Sequence, residues 1–141
     1  MLTTIVLLTL FTRVTAQQAG DIKGIWVNSK KDIRVEIYQV GDKYFGKINW
    51  SADMYAPDGK TPNKDVKNPD PKLNQREITS INILSGFSFT GGEWTGGEIY
   101  DPRSGKTYKG SLKLRDGSLE IRGYIGSPIF GKTTSWTKAS S

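Results

Sequence analysis

Two groups of polar side chains in this sequence are of the types that bind charged or sugar-like ligands. In the first, Tyr100 and Asp101 place a phenol and a carboxylate at the end of an alternating run of residues. If Arg122 and Tyr124 met them at one rim of the fold, the cluster would bind a carboxylate or sugar hydroxyls. The structural alternative is that Asp101 caps the turn after it and Arg122 lies on the outer face.

The second group lies in a polar, proline-rich segment from Ser51 to Arg76. A segment of this length without regular structure is usually a functional lid or a disordered span. As a lid, it would bring Asp65, Asn68 and Arg76 to a ligand or across the opening of the fold. The alternative is local, with Asn68 and Asp70 hydrogen-bonded to their own turns and Arg76 in a surface ion pair.

Aromatic side chains are numerous enough either to line a pocket or to fill the core of a small domain. Trp50 and Trp94 lie at predicted strand ends and are the better candidates for a pocket. The other large aromatic residues are predicted to lie in the core: Phe45, Phe87, Phe89, Phe130 and Trp136.

The composition argues against most catalytic chemistry. The sequence has no histidine and no cysteine, so the commonest general base, thiolate nucleophiles and the usual metal ligands are absent. An enzyme would have to rely on Asp65 or Asp101 as acid or base. Arg76 or Arg122, together with Tyr100, would then bind the anion. We predict instead a protein that is not an enzyme and that has no metal site and no cofactor.

The charge of the chain is moderately positive. The formal net charge is +6 at pH 7, from 20 basic and 14 acidic residues. The lysines are spread singly along the solvent-facing positions of several strands, and aromatic residues are not interleaved with them on one strand face. This pattern is typical of a solvated surface and predicts no nucleic-acid partner.

Residues 1–16 have the pattern of a secretion signal. The apolar stretch from Ile5 to Phe11 is too short to span a bilayer, and the small residues at 14–16 suit cleavage before Gln17. The alternative is a buried N-terminal strand. We predict that residues 1–16 are removed and that residues 17–141 form one domain without a membrane span. That domain would be exported, either to the periplasm or out of the cell.

The elements that must position these groups are β-strands. From Gly96 to Gly126, apolar and polar residues alternate on both sides of the turn at Asp116-Gly117. A period of two places the apolar side chains on one face, and an Asp-Gly pair favours a tight antiparallel turn. The inward face is predicted to carry Tyr108, Gly110, Leu112, Leu114, Leu119, Ile121, Gly123 and Ile125.

The rest of the chain continues as a meander of about nine short strands joined by tight turns, apart from the proline-rich segment. After residue 16, no stretch has a convincing helical period. A meander of this kind tends to close on itself because closure removes unpaired strand edges. The sequence therefore predicts an all-β, antiparallel up-and-down barrel of about eight to nine strands. A β-sandwich is the alternative.

Several motifs along the chain carry a resemblance to a known family. They are Gly24-x-Trp26, DVKNPDPKLNQR from Asp65, W-x-G-G-x-I-Y-D-P-x-S-G-K-x-Y from Trp94, and GKTTSWTK from Gly131. In order and spacing, they resemble the bacterial domain of unknown function numbered 2147. The resemblance implies a small exported bacterial protein with a lipocalin-like (calycin) barrel and no settled activity.

The resemblance also implies a structural role for three residues. In calycin barrels, a tryptophan of the first strand commonly closes one end, with a cation of the last strand packed across it. Trp26 fits the first role, and Lys138 or Lys132 fits the second. A cation over an indole stabilises a fold by about 0.5–2 kcal/mol, so this pair would be a structural plug.

The sequence departs from the family pattern at two places. After Arg76, the family pattern has proline-leucine and then a glycine, where this chain has Glu77-Ile78 and Ser80. Lys132 and Lys138 stand where arginine is more common, and lysine lacks the planar group that stacks on an aromatic ring. The exit from the proline-rich segment is the part of the fold we expect to differ.

These observations favour a binding function. We predict that the barrel interior, covered by the proline-rich segment, takes a small and largely apolar ligand, which is an inference from the fold. The alternative is a non-catalytic envelope or host-facing module with a packed barrel, whose loops contact a protein partner. We expect a monomer.

Overall fold

The computed structural model describes residues 2–10 and 16–139 of the chain. Residues 2–10 form no helix or strand and are exposed. Positions 14 and 15 of the predicted cleavage motif lie outside the described residues. Within the described ranges, no helix has the length and apolar character needed to cross a membrane.

Eight antiparallel strands close into an up-and-down barrel, which confirms the predicted fold class. The last strand pairs with the first, with Val27 opposite Thr137, so the ring of strands is complete. The strands are β1 (Gly24–Asn28), β2 (Ile33–Val40), β3 (Lys43–Ser51), β4 (Asn82–Thr90), β5 (Glu93–Asp101), β6 (Lys106–Arg115), β7 (Ser118–Tyr124) and β8 (Lys132–Lys138).

The alternation of residues sets the inner and outer faces of the barrel. Between β6 and β7, Leu112 lies opposite Ile121 and Leu114 opposite Leu119. Leu112 and Leu119 are at most 1% exposed. Burying each such side chain contributes about 1.5–3 kcal/mol, so these pairs hold the wall of the barrel together.

Strand β3 places Phe45, which was predicted as core, on the outer surface of the barrel. Tyr44, Gly46 and Ile48 are buried, whereas Phe45 is half-buried and stacks on Tyr38, with 5.8 Å between ring centroids. The pairing of β3 with β4 is irregular on both sides of Gly46. Phe45 therefore packs on the outer surface, because the irregularity does not shift it to the inner face.

Two apolar residues predicted for the interior are exposed. Phe130, predicted as core, is 77% exposed, and Ile125, predicted on the inner face, is 61% exposed. Both lie beyond the end of β7, in the connection to β8, where alternation no longer assigns a residue to a face. These two predictions were wrong because the strand ends before Ile125.

One end of the barrel, which we call the closed end, is plugged by a 3-10 helix, Ala19–Ile22. The Trp26 indole donates to the Ile22 carbonyl at 2.8 Å, and the Trp94 indole donates to the Ala19 carbonyl at 3.0 Å. Ile22 is fully buried. The plug is therefore held by both apolar packing and two hydrogen bonds.

The opposite end, which we call the mouth, is formed by four connections between strands. They are the β1–β2 turn (29–32), the long loop (52–81), the β5–β6 turn (102–105) and the β7–β8 connection (125–131). The long loop folds on itself through bridges between Tyr55 and Pro62 and between Lys64 and Glu77. Ser80, near its exit, has a φ of 65°, a conformation that favours glycine.

Candidate functional site

A cavity of about 390 Å³, which we call the mouth cavity, opens at the mouth beneath the long loop. Its barrel wall carries Ile33, Ile48 and Ile83, at the mouth ends of β2, β3 and β4. The long loop adds Ile78 and Val66. Its apolar lining comes from these five β-branched side chains and Pro102, which suits it to an apolar ligand.

The rim of the mouth cavity is tied together by Arg103 in the β5–β6 turn. Its guanidinium lies 2.9 Å from the Asp53 carboxylate in the long loop and 3.3 Å from the Asp32 carboxylate in the β1–β2 turn. The Asn28 side chain donates a hydrogen bond to Asp32, and this bond, followed by Arg103, holds the pKa of Asp32 below its usual range. One arginine therefore links three of the four connections at the mouth.

The long loop also contacts the β5–β6 turn directly. Lys67 donates its amine to the Arg103 carbonyl at 2.8 Å. Gly105 has a φ of 74°, and a Cβ at this position would collide with the carbonyl of Lys67. The close approach of the two backbones requires glycine there and fixes the position of the loop over the cavity.

Asp101 lines the mouth cavity, but its carboxylate makes its hydrogen bonds within its own turn. Its carboxylate accepts hydrogen bonds from the Arg103 backbone at 3.0 Å and from the Ser104 hydroxyl at 2.8 Å. This is the geometry of the capping alternative. The carboxylate shapes the rim of the cavity and is not a free acid or base.

A second cavity of about 310 Å³ lies against β5–β8 on the same side of the barrel. It shares Asp101 with the mouth cavity. Its other lining residues mix apolar and polar groups: Ile99, Tyr108, Ile121, Gly123, Lys132 and Thr134. Lys132 therefore borders a cavity whose lining is more mixed than the largely apolar lining of the mouth cavity.

Four residues from both predicted groups meet in one place, which we call the Asp65 cluster. The Asp65 side chain is fully buried. One carboxylate oxygen accepts from the Asn68 amide at 2.9 Å and the Arg76 guanidinium at 3.0 Å. The Tyr100 hydroxyl donates to the other oxygen. A buried carboxylate with three donors is well compensated for its loss of water.

The Asp65 cluster anchors the long loop to β5. Burial, and then the hydrogen bond to Asp65, raise the pKa of the Tyr100 hydroxyl. The Arg76 guanidinium lies 5.7 Å from the centre of the Tyr100 ring. None of these side chains lines either cavity. In this geometry the four residues position the loop that covers the mouth. Asn68, Arg76 and Tyr100 also line a separate cavity of about 410 Å³ beside β4–β6, so a ligand in contact with them would lie outside the mouth cavity.

The structure separates the predicted cluster of Tyr100, Asp101 and Arg122. Tyr100 and Asp101 are adjacent in β5 and therefore point to opposite faces. Arg122 donates to the Pro128 carbonyl at 2.6 Å and to the Thr133 hydroxyl at 3.0 Å. These partners hold it along the β7–β8 connection, away from Tyr100 and Asp101.

The two tryptophans predicted for a pocket lie elsewhere. Trp94 is fully buried at the closed end. Trp50 is 42% exposed and lines an outer groove with Lys31 and Arg34. Neither side chain borders the mouth cavity, so a ligand held there would not contact them.

The three residues assigned to a structural plug do not all lie at the same end of the barrel. The Lys138 amine lies 5.6 Å from the centre of the Trp26 ring, at the closed end. Lys132 lies at the other end of β8. Of the two lysines, Lys138 has the geometry of the plug, and Lys132 lies at the mouth.

Sequence reasoning did not single out the isoleucines of the mouth cavity. Alternation assigned such residues to the inner face, but it could not tell which end of the barrel remains unfilled. As for metals, no group of three acidic side chains that could hold an ion occurs in the part of the chain that the structure describes.

Comparison with known proteins gives two matches. Residues 24–138 match the family described as "Uncharacterized protein conserved in bacteria (DUF2147)". A solved structure of protein HP1028 from the human pathogen Helicobacter pylori, described as belonging to the lipocalin family, is 26% identical, with a TM-score of 0.72. The match covers 89% of this chain and 85% of that one. No curated protein matches. The chain therefore belongs to the bacterial DUF2147 family and has a lipocalin-like barrel.

Proposed function

We propose that this protein is exported and binds a small, largely apolar ligand in the mouth cavity. The observation that carries the proposal is an apolar space of about 390 Å³ under a fixed loop. That volume is within the range of about 300–1,000 Å³ typical of small-molecule sites. Eight-stranded barrels of this kind are wide enough to hold one small ligand.

The lining of the cavity favours an apolar occupant over water. At about 30 Å³ per molecule, the space would take about a dozen waters. The isoleucine side chains offer these waters no hydrogen bonds. Displacing such waters with an apolar ligand is favourable, at about 25 cal/mol for each Å² of apolar surface removed from water.

The rim gives the ligand an orientation. Asp53, Lys64 and Lys67 of the long loop line the cavity, as do Asp101 at the end of β5 and Arg103 in the β5–β6 turn. Arg103 is paired with Asp32 and Asp53, and Asp101 is capped. The charges that could meet a polar end of the ligand are therefore Lys64 and the donors of Lys67 that its bond to the Arg103 carbonyl does not use. A ligand with an apolar body and a polar or anionic end fits this arrangement best.

The groups and the space at the mouth support a binding function better than they support catalysis or a packed interaction module. The chain lacks histidine and cysteine, and the carboxylates at the mouth are hydrogen-bonded within the structure. A packed module needs an interior without space, whereas the mouth half of this barrel has two cavities.

Export is the part of the proposal that rests on residues 1–16. Their apolar stretch and the small residues before Gln17 support it. We expect protein recovered from the periplasm or medium of the producing bacterium to have lost residues 1–16, as intact-mass measurement would show. Full-length protein confined to the cytoplasm would contradict export without affecting the binding proposal.

Native mass spectrometry tests the binding proposal. The protein is incubated with a mixed extract of envelope lipids, and retained molecules are identified by their mass. We expect one ligand per chain, and we expect Ile83→Trp, which fills the mouth cavity, to abolish retention. Val40→Trp, at the exposed closed-end terminus of β2, is the matched control. Retention that is absent in the wild type, or unchanged in Ile83→Trp, would contradict the proposal.

A further inference from the structure

The β7–β8 connection presents large apolar side chains to solvent at the mouth. Ile125, Ile129 and Phe130 are 61%, 76% and 77% exposed. We call these three side chains the apolar tip. Scattered exposed apolar residues are ordinary, but three on one seven-residue connection form a patch that needs a partner.

The apolar tip is held in a fixed conformation. Pro128–Phe130 forms a 3-10 turn, with hydrogen bonds from Phe130 to Ser127 and from Gly131 to Pro128, each of 3.1 Å. The Arg122 guanidinium donates to the Pro128 carbonyl at 2.6 Å and packs on Gly131. Because backbone bonds and one arginine fix the turn, Ile129 and Phe130 are presented to solvent rather than folded back onto the barrel.

The charges nearest the apolar tip are positive. Arg122 contacts it directly and Lys132 follows it. Lys109 lies opposite Tyr124 at the end of β7, and its other cross-strand neighbour is Glu98 of β5. From Ile121 to Ala139 the sequence contains no acidic residue. Among the described residues, neither lysine has an acidic group within ion-pair distance.

We propose that the apolar tip docks on the surface of an anionic lipid bilayer. Apolar side chains that enter the interface, surrounded by lysine and arginine, are the features by which proteins bind anionic membranes. A second copy of the chain is the weaker candidate. Three side chains offer far less than the roughly 800 Å² per partner that a stable protein interface buries.

Docking through the apolar tip would turn the mouth of the barrel toward the membrane. The tip belongs to the same end of the barrel as the long loop and both cavities. The inference goes beyond the proposed function, because docking does not require the mouth cavity to hold a ligand. If membrane docking is disproved, the proposal of ligand binding is unaffected, and the reverse also holds.

Site-specific fluorescence gives a positional test, because the chain has no cysteine. A nitrobenzoxadiazole probe is attached to Ile129→Cys at the tip, or to Val40→Cys at the closed-end terminus of β2 as control. Vesicles contain either phosphatidylcholine alone or equal parts of phosphatidylcholine and phosphatidylglycerol. We expect a blue shift only for the probe at position 129, and only with phosphatidylglycerol.

Three outcomes of this measurement would overturn the proposal. The first is no shift at position 129. The second is an equal shift at both positions, which indicates binding without orientation, as the apolar N-terminal residues would cause. The third is a shift at position 129 that grows with protein concentration in the absence of vesicles, which indicates association of two copies.

Variants of the full chain separate the apolar and electrostatic parts of docking. The double change Ile129→Ser, Phe130→Ser removes two large apolar groups and is expected to weaken vesicle binding at least about tenfold. Val40→Ser, whose side chain is 60% exposed at the closed end, should leave binding unchanged. Lys109→Gln should weaken binding about fivefold, and the closed-end change Lys43→Gln should not. Equal effects at both ends would overturn the proposal.

Discussion

At the closed end of the barrel two tryptophans fill the interior, whereas at the mouth several isoleucines border a cavity. Trp26 and Trp94 are at most 2% exposed, and both donate to the 3-10 helix. Ile33, Ile48 and Ile83 stand in the same alternating strands but border about 390 Å³ of space. The strand pattern is common to both ends, so the difference comes from the connections that close them.

The two ends also use charge differently. At the closed end, Lys138 lies over an indole, and two surface ion pairs, Lys113–Glu93 and Arg115–Glu120, join neighbouring strands. At the mouth, Arg103 bridges two acids and the Asp65 cluster anchors the long loop. The closed end is stabilised mainly by apolar packing, and the mouth mainly by polar ties between loops. The difference predicts which substitutions will be costly at each end.

The largest expected effect is at the closed end. Trp94→Ala removes a fully buried ring and should lower the free energy of unfolding by about 4 kcal/mol. Ile33→Ala, at the half-buried edge of the mouth cavity, should lower it by about 1 kcal/mol. Urea unfolding followed by circular dichroism measures both values. Similar losses at the two positions would show that the mouth is as well packed as the closed end.

The next effect concerns the anchor of the long loop. Arg76→Met keeps the apolar stem but leaves the buried Asp65 carboxylate without its cation, which should cost about 3 kcal/mol. Arg103→Met is the matched control, because its carboxylate partners reach solvent, and it should cost less than about 1 kcal/mol. The same urea titration measures both. If Arg103→Met proved the costlier change, the Asp65 cluster would not be the main anchor.

Tyr100→Phe tests the same anchor through pH. It removes a donor from Asp65 and should cost about 1–2 kcal/mol near pH 7. The pKa of Tyr100 in the folded protein is raised above the ordinary 10.0. Its contribution is therefore present below pH 10 and is lost as pH rises above 10, because the phenol of the unfolded chain ionises first. Unfolding measured between pH 8 and about 11 should show a fall that is smaller in Tyr100→Phe.

The sequence predicted the fold better than the site, for reasons visible in particular residues. Alternation with Asp116-Gly117 was sufficient to pair β6 with β7 correctly, because a period of two and a tight turn leave little choice of register. It failed at Ile125 and Phe130, where the strand had already ended. Strand ends depend on the tertiary neighbours and not on local pattern.

The candidate site depended on contacts between distant parts of the chain. Asp65, Asn68, Arg76 and Tyr100 were all singled out, but their meeting depends on how the long loop folds against β5. The predicted cluster of Tyr100, Asp101 and Arg122 does not form, because Tyr100 and Asp101 face opposite ways and Arg122 is held by Pro128 and Thr133. The departure from the expected family pattern at Ser80 lies where the structure has a left-handed backbone, a conformation that favours glycine.

The smallest expected effect concerns Ser80, at the exit of the long loop. Its φ of 65° disfavours a side chain, so Ser80→Gly should raise the free energy of unfolding by about 0.5 kcal/mol. Ser29→Gly, in the β1–β2 turn without a positive φ, should bring no gain. Thermal unfolding measures the difference, and a loss of stability in Ser80→Gly would show that this backbone is not strained.

The most direct test of the account is an NMR titration of isoleucine methyl groups with 1-anilinonaphthalene-8-sulfonate, an apolar ring system with an anionic group. We expect the methyl signals of the mouth isoleucines, Ile48, Ile78 and Ile83, to shift with saturation at one ligand per chain. The signals of Ile22 and Ile37 in the packed part of the barrel should stay in place. Shifts confined to the exposed Ile125 and Ile129, or no shifts, would contradict a ligand-binding mouth.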